Sequence, residues 1–217
     1  MKRIVALLGD YYHPRERSKA SLNKALTLLS ETENIDYAEI HTSQLEEELE
    51  KMPDAVILFK EDRLNPTAEK VNTWMTEEIG KAIVKYVDQG GGFLAWHSGL
   101  ASYDIHSSYT NMLKGHFEYH PVEHAKVQYR SVEGNEAFGP VSFELLDEHY
   151  FVNIQEEETN VFLISESVDG YSAAGWFHDY GKGRVCCVTP AHNEEGLLDD
   201  DFLQLLAKTI EWVSRGK

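Results

Sequence analysis

The first half of the chain alternates short, fully apolar runs with longer stretches in which apolar residues recur every three or four positions. Residues 3–8 (RIVALL) form such a run and end at Gly9-Asp10, and residues 18–30 follow with Leu22, Ala25, Leu26 and Leu29 at helical spacing. A strand feeding an amphipathic helix is a βα unit. Residues 36–41 alternate weakly, Ser43 stands where it would cap the acidic segment QLEEELEK as a helix, and residues 55–59 supply a third apolar run. The pattern then predicts a long helix from Asn65-Pro66-Thr67 to about Asp88, with Val71, Trp74, Met75, Ile79, Ile83, Val84 and Val87 as its apolar stripe and Gln89-Gly90 as its end. Residues 92–96 (GFLAW) carry no charged side chain, as expected of an inner parallel strand covered by helices on both faces. Together these elements predict an α/β fold built on a flavodoxin-like, three-layer, doubly wound parallel sheet.

The second half reads differently. Residues 122–132 and 161–165 have strand character, residues 143–154 form a mixed extended segment around DEHY, and SAAGWFHDYGKGRVCCVTPAHN reads as two strands joined by a turn at residues 179–183. Residues 199–214 form a final helix with Phe202, Leu203, Leu206, Ile210 and Trp212 available for packing. These β elements are additions to the parallel sheet. With 217 residues, no internal repeat and no Pro/Gly/Ser-rich linker, residues 1–217 read as a single domain.

Charge narrows the partners. A formal net charge of −17 repels phosphate backbones and anionic lipid, and no basic stripe offers an exception, so neither nucleic acid nor membrane is an expected partner. No apolar run approaches the ~20 residues of a membrane span, and the start turns polar too soon for a secretory leader, which points to a cytoplasmic protein. The only cysteines, Cys186 and Cys187, are adjacent on a strand and face opposite ways, leaving neither a mutual disulfide nor a cysteine-based zinc site. The turn Gly181-Lys182-Gly183-Arg184 lacks phosphate-loop spacing and joins two strands, so no nucleotide cofactor is expected.

The sharpest chemical signal is Ala95-Trp96-His97-Ser98-Gly99. In a strand-turn-helix elbow the nucleophile sits between compact residues, and here His97 occupies that slot at the end of a strand, where doubly wound folds bind ligands. Ser98 stands one position off the apex. His116 and His120 are four apart, a spacing that on a helix would place both imidazoles on one metal, although Pro121 disturbs the segment and His124 falls on the next strand. In LLDEHYF, Glu148 is a candidate ligand or general base and Tyr150 a proton donor or aromatic platform, with His149 given no role.

The segments GGGFLAWHSG, LKGHFEYHP, LLDEHYF, WFHDYGKGRV and PAHN occur in the order and approximate spacing of the trehalose-utilisation, or ThuA-like, proteins, a resemblance running from about Arg3 to Trp212. That family resembles the class I glutamine amidotransferase-like fold, whose elbow residue is a cysteine. Histidine in the slot argues against glutaminase chemistry. The resemblance further implies a role for His192, which matches a Gly-His element with Ala191 in place of the glycine, and for His13, which follows the first strand in a His-Pro element. It also implies the substrate class, a sugar: trehalose, a related disaccharide or a keto-sugar.

Two function classes stay open. One is a sugar-active hydrolase, lyase or isomerase in which His97, Glu148 and His192 perform acid-base chemistry, with or without a divalent metal, zinc first, on His116 and His120. His13, Ser98, Tyr150 and Trp176 would then contact the substrate, though an aromatic in a strand such as Trp176 is more often core. The other is a non-catalytic sugar-binding or protein-interaction module. Association into a homo-oligomer is open to a fold of this kind.

Overall fold

The computed structural model describes residues 1–135 and 137–215. Its first half is a run of βα units: β1 (Lys2–Leu8), α1 (Arg15–Ser30), β2 (Ile35–Glu39), α2 (Leu45–Glu50), β3 (Ala55–Phe59), α3 (Glu77–Asp88) and β4 (Gly92–Trp96). There follow α4 (Ser108–Leu113), β5 (Gly115–Tyr119), β6 (Ala125–Ser131), β7 (Ser142–Asp147), β8 (Phe151–Ile154), β9 (Asn160–Ser167), β10 (Gly170–Tyr180), β11 (Gly183–Val188), α5 (Glu194–Leu197) and α6 (Asp200–Val213).

The main sheet has the order β2-β1-β3-β4-β11-β10-β9-β6-β7. Its first five strands are parallel, in the flavodoxin-like arrangement that the sequence predicts. From β11 onward every pairing is antiparallel, so the added strands of the second half extend the same sheet. β5 and β8 pair as a separate two-stranded ribbon.

Side chains alternate across the parallel strands, and each face is buried. Ile4, Ala6, Ile57, Leu94 and Trp96 pack with α1 and α6, while Val5, Leu7, Val56, Phe93 and Ala95 pack with α3 and α4. Each Val, Leu, Ile or Phe among them contributes about 1.5–3 kcal/mol on burial. Cys186 and Cys187 fall into opposite cores as free thiols, as adjacent strand positions require.

The predicted long helix starts late. Its N-terminal half is a loop, and only Glu77–Asp88 is helical, capped by the Thr76 hydroxyl, which accepts the Ile79 N–H at 3.3 Å. Side chains compete for the backbone upstream. The Asn65 carbonyl accepts the Asn72 N–H at 2.6 Å, its amide donates to the Lys70 carbonyl at 3.0 Å, and the Asp62 carboxylate accepts the Met75 N–H at 2.8 Å. The Trp74 indole donates to the Glu61 carbonyl at 3.0 Å, so the supposed helical stripe instead ties this loop to the carboxyl edge of the sheet.

Candidate functional site

The carboxyl edge of the parallel strands gathers side chains from four separate loops. The elbow expected after β4 is present: His97 takes φ +47°, and a 3-10 turn over His97–Leu100 follows in place of a long helix. Gly99 makes the turn fit, because a Cβ there would lie 2.1 Å from the Leu58 carbonyl oxygen. His97 is completely buried, with the Tyr150 ring stacked on it at 4.3 Å and Phe59 near-parallel at 5.6 Å. Its Nδ1 lies 2.7 Å from the Thr189 carbonyl, which can only accept, so the ring proton is on Nδ1 and Nε2 presents a lone pair. Burial pushes the His97 pKa down and keeps the ring neutral, outweighing the pull of Glu148.

His13 is oriented in the same way by the β1–α1 loop. Its Nδ1 donates to the Asp10 carboxylate at 2.6 Å, leaving Nε2 buried and without a hydrogen-bond partner among the described residues. Asp10 is itself fixed. It accepts the backbone N–H groups of Tyr12, His13 and Glu61 at 3.0, 3.1 and 3.0 Å.

Glu148 and His192 complete the cluster. Glu148 Oε2 is 3.2 Å from His192 Nδ1 and 3.6 Å from His97 Nε2, and the two ring nitrogens are 3.3 Å apart. Burial alone would raise the Glu148 pKa, but His192 holds it well below the usual carboxylate range. Glu148 in turn raises the His192 pKa against the opposing effect of burial. Asp147 is buried beneath both: one oxygen accepts the backbone N–H of His192 at 2.8 Å and of Glu148 at 3.0 Å, and the other accepts the Tyr129 hydroxyl at 3.0 Å. Burial pushes the Asp147 pKa up.

The donor set fits a metal ion. One donor atom from each of His13, His97, Glu148 and His192 lies within 4.8 Å of the others. A tetrahedral ion with bonds of about 2.0–2.1 Å has ligand-to-ligand edges of about 3.3 Å, and the His97–His192–Glu148 triangle has edges of 3.2, 3.3 and 3.6 Å. Asp10 and the Thr189 carbonyl supply the outer hydrogen bonds that hold ligating imidazoles in the required tautomer.

A sequence model of the family described as trehalose utilisation, ThuA, matches residues 8–213. The chain belongs to the ThuA family. Its fold is shared by a ThuA-like protein of Bacteroides uniformis ATCC 8492, with 17% identity, a TM-score of 0.67 and coverage of 98% of this chain and 91% of that one. A cytoplasmic protein of Salmonella typhimurium LT2 is similar at 15% identity and TM-score 0.64, over 98% and 100% of the two chains. A cold-adapted β-galactosidase of Rahnella sp. R3 is similar at 17% identity and TM-score 0.62, over 95% of this chain but 31% of that one. No curated relative matches the ThuA chain in sequence.

Of the residues that the sequence singles out in this ThuA protein, His13, His97, Glu148, Tyr150 and His192 converge. Ser98 is buried beside Asp10, and its hydroxyl helps lower that carboxyl's pKa. The pairing of His116 with His120 does not hold, because the segment is extended and not helical, with His116 on the strand β5, bound to β8, and His120 just past its end. Four residues along a strand span about 13 Å, too far for one ion. His120 instead reaches the outer oxygen of Glu148, at 3.9 Å. Trp176 does not line the site. It is fully buried in the core and donates its indole N–H to the Leu113 carbonyl at 2.8 Å. His149, given no role, has its two ring nitrogens 2.8 and 3.0 Å from the hydroxyls of Ser167 and Ser165. The sequence reading misses Asp10, Asp147, His124 and Asn193. Asp10 left a signal as an aspartate three positions before a histidine at a strand end, and Asp147 and Asn193 lie inside the segments LLDEHYF and PAHN that carry the family resemblance.

Proposed function

We propose that this ThuA protein is a metal-dependent enzyme of carbohydrate utilisation, with a divalent ion, zinc first, held by His13, His97, His192 and Glu148. The observation that carries this reading is the convergence of those four donor atoms within 4.8 Å, with the lone pairs of His13 and His97 turned inward by Asp10 and Thr189. His97 is wholly buried and locked by its Nδ1 bond, which suits a ligand better than the proton shuttle expected from the elbow position. Bound there, the ion supplies Lewis acidity toward a carbonyl or hydroxyl oxygen.

The chain's own groups divide the remaining work. Glu148 stays ionised and contributes the negative charge of the donor set. Tyr150 is kept protonated, since burial and then Glu148 push its pKa well above the ordinary value, so it serves as a hydrogen-bond donor beside His97.

The substrate class follows from the family's description, trehalose utilisation, and the chemistry suits proton transfer next to a carbonyl or hydrolysis in a disaccharide or keto-sugar. A net charge of −17 supports a neutral sugar as partner over nucleic acid or membrane. Among the described residues no helix is long and apolar enough to cross a membrane. The free thiols Cys186 and Cys187 and the Salmonella relative described as cytoplasmic support a cytoplasmic setting.

The test is to incubate zinc-loaded and chelator-stripped protein with trehalose and keto-disaccharides and follow the sugars by NMR. Conversion by the loaded form alone is expected. Equal conversion by both forms would overturn the metal dependence, and sugar binding without conversion in either form would favour a binding module over an enzyme.

A further inference from the structure

The two oxygens of Glu148 face different ways. Oε2 belongs to the donor cluster, whereas Oε1 looks toward His124 Nε2 at 3.8 Å and His120 Nε2 at 3.9 Å. Both separations are longer than a hydrogen bond, so neither pair is joined directly, and each is spaced to be bridged by one hydroxyl from the solvent side. This is also the side on which the cluster meets solvent, since His120 and His124 are 34% and 33% exposed.

Hydrogen bonds fix what each ring offers. His120 Nδ1 is 2.7 Å from the Pro121 carbonyl and must donate to it, so its Nε2 is an acceptor. The Asn193 amide nitrogen donates to the Leu146 carbonyl at 3.1 Å, which sets the orientation of the amide, and its second N–H donates to His124 Nδ1 at 2.9 Å. The proton of His124 is therefore on Nε2, aimed at the gap. A nitrogen bearing a proton is not a metal ligand, so the outer side of Glu148 is no second metal site. It offers one donor between two acceptors, the complement of a hydroxyl pair. Aromatic rings support the site from behind: the buried Tyr150 ring lies near-parallel to His120 at 5.8 Å, and Phe117 is 4.4 Å from Tyr150.

We propose that His120, His124 and Glu148 Oε1 form the recognition site for adjacent hydroxyls of the sugar, with His124 donating and His120 and Glu148 accepting. The assignment rests on the reading of the inner cluster as the reactive centre, and it makes His120 and His124 specificity-determining residues and not metal ligands. Neighbouring hydroxyls that donate outward and accept from His124 satisfy all three groups at once.

The experiment measures trehalose affinity by calorimetry and zinc content by elemental analysis in wild type, His120→Ala, His124→Ala and His124→Gln. Each alanine variant is expected to keep its zinc and to lose about tenfold in trehalose affinity, the worth of one hydrogen bond of about 1.4 kcal/mol, and the glutamine amide N–H is expected to restore part of the loss at position 124. No trehalose binding by wild type, unchanged affinity in both alanine variants, or loss of zinc along with affinity would each overturn the assignment. Zinc-free wild type whose trehalose binding still depends on His120 and His124 would sink the metal reading while supporting this one.

Discussion

Replacing Asp10 by asparagine removes one charge and one acceptor from beneath the histidine cluster. One carboxylate oxygen accepts the His13 ring at 2.6 Å and the N–H groups of Tyr12 and His13, and the other accepts the Glu61 N–H at 3.0 Å. An asparagine has a single acceptor oxygen, so whichever way it turns, its amide N–H groups face donors. Burial alone would raise the Asp10 pKa, yet His13, the Glu61 N–H and the Ser98 hydroxyl bring it from 3.8 down to about 2. At 1.36 kcal/mol per tenfold change in the protonation equilibrium, that amounts to about 2 kcal/mol of folding stability. The sign is that of a depressed carboxylate: the contribution is complete above 3.8 and is lost as pH falls through about 2. In the metal-free protein at pH 7, Asp10→Asn should lower Tm by about 4–8 °C, and in denaturant titrations the deficit should shrink below about pH 4. Zinc affinity, measured against a competing chelator, should fall about 10–100-fold, because a neutral amide holds the His13 proton on Nδ1 less firmly than the carboxylate does. A variant with the lowered Tm but wild-type zinc affinity would refute ligation through His13 Nε2. An unchanged Tm would refute the electrostatic argument itself.

Gly99→Ala should cost about 3 kcal/mol or more in urea denaturation, because its Cβ would sit 2.1 Å from the carbonyl oxygen of Leu58 on an inner strand; a wild-type midpoint would refute the elbow geometry. Trp176→Phe should cost about 1–3 kcal/mol by stranding the buried Leu113 carbonyl and yet leave trehalose affinity unchanged, whereas a selective loss of affinity would return Trp176 to the site. Burial, only partly offset by the Met75 and Trp74 N–H groups, raises the Asp62 pKa to about 6 from 3.8, so this carboxyl disfavours folding increasingly as pH rises through that interval. Asp62→Asn should therefore be more stable than wild type at pH 7.5, with the advantage fading by pH 4; equal stability at pH 7.5 would count against it.

Strands whose burial is purely a matter of local pattern are legible in the sequence. The apolar runs at β1, β3 and β4, the turn between β10 and β11 and the stripe of α6 all appear where hydrophobic periodicity puts them. Periodicity fails where side chains compete for the backbone, as Asp62 and Asn65 do ahead of α3. It also cannot distinguish a four-residue spacing on a helix from the same spacing along an extended segment such as β5 and the residue after it, which is why His116 and His120 look like a metal pair and are not one. The elbow placed His97, the acidic pair in LLDEHYF placed Glu148, and the family resemblance placed His13 and His192. The groups that orient them act across the fold: Thr189 on His97 over 92 positions, Asp147 on His192 over 45 and Asn193 on His124 over 69. Such pairs are created by strand order, which one sequence does not reveal.

The central claim is that the ThuA chain holds a divalent ion on His13, His97, His192 and Glu148. Elemental analysis of protein purified without a histidine tag, as wild type, His97→Ala and His116→Ala, tests it most directly. The account predicts near-stoichiometric divalent metal in wild type and in His116→Ala and its loss in His97→Ala. Metal absent from wild type even after reconstitution, or retained in His97→Ala, would contradict it.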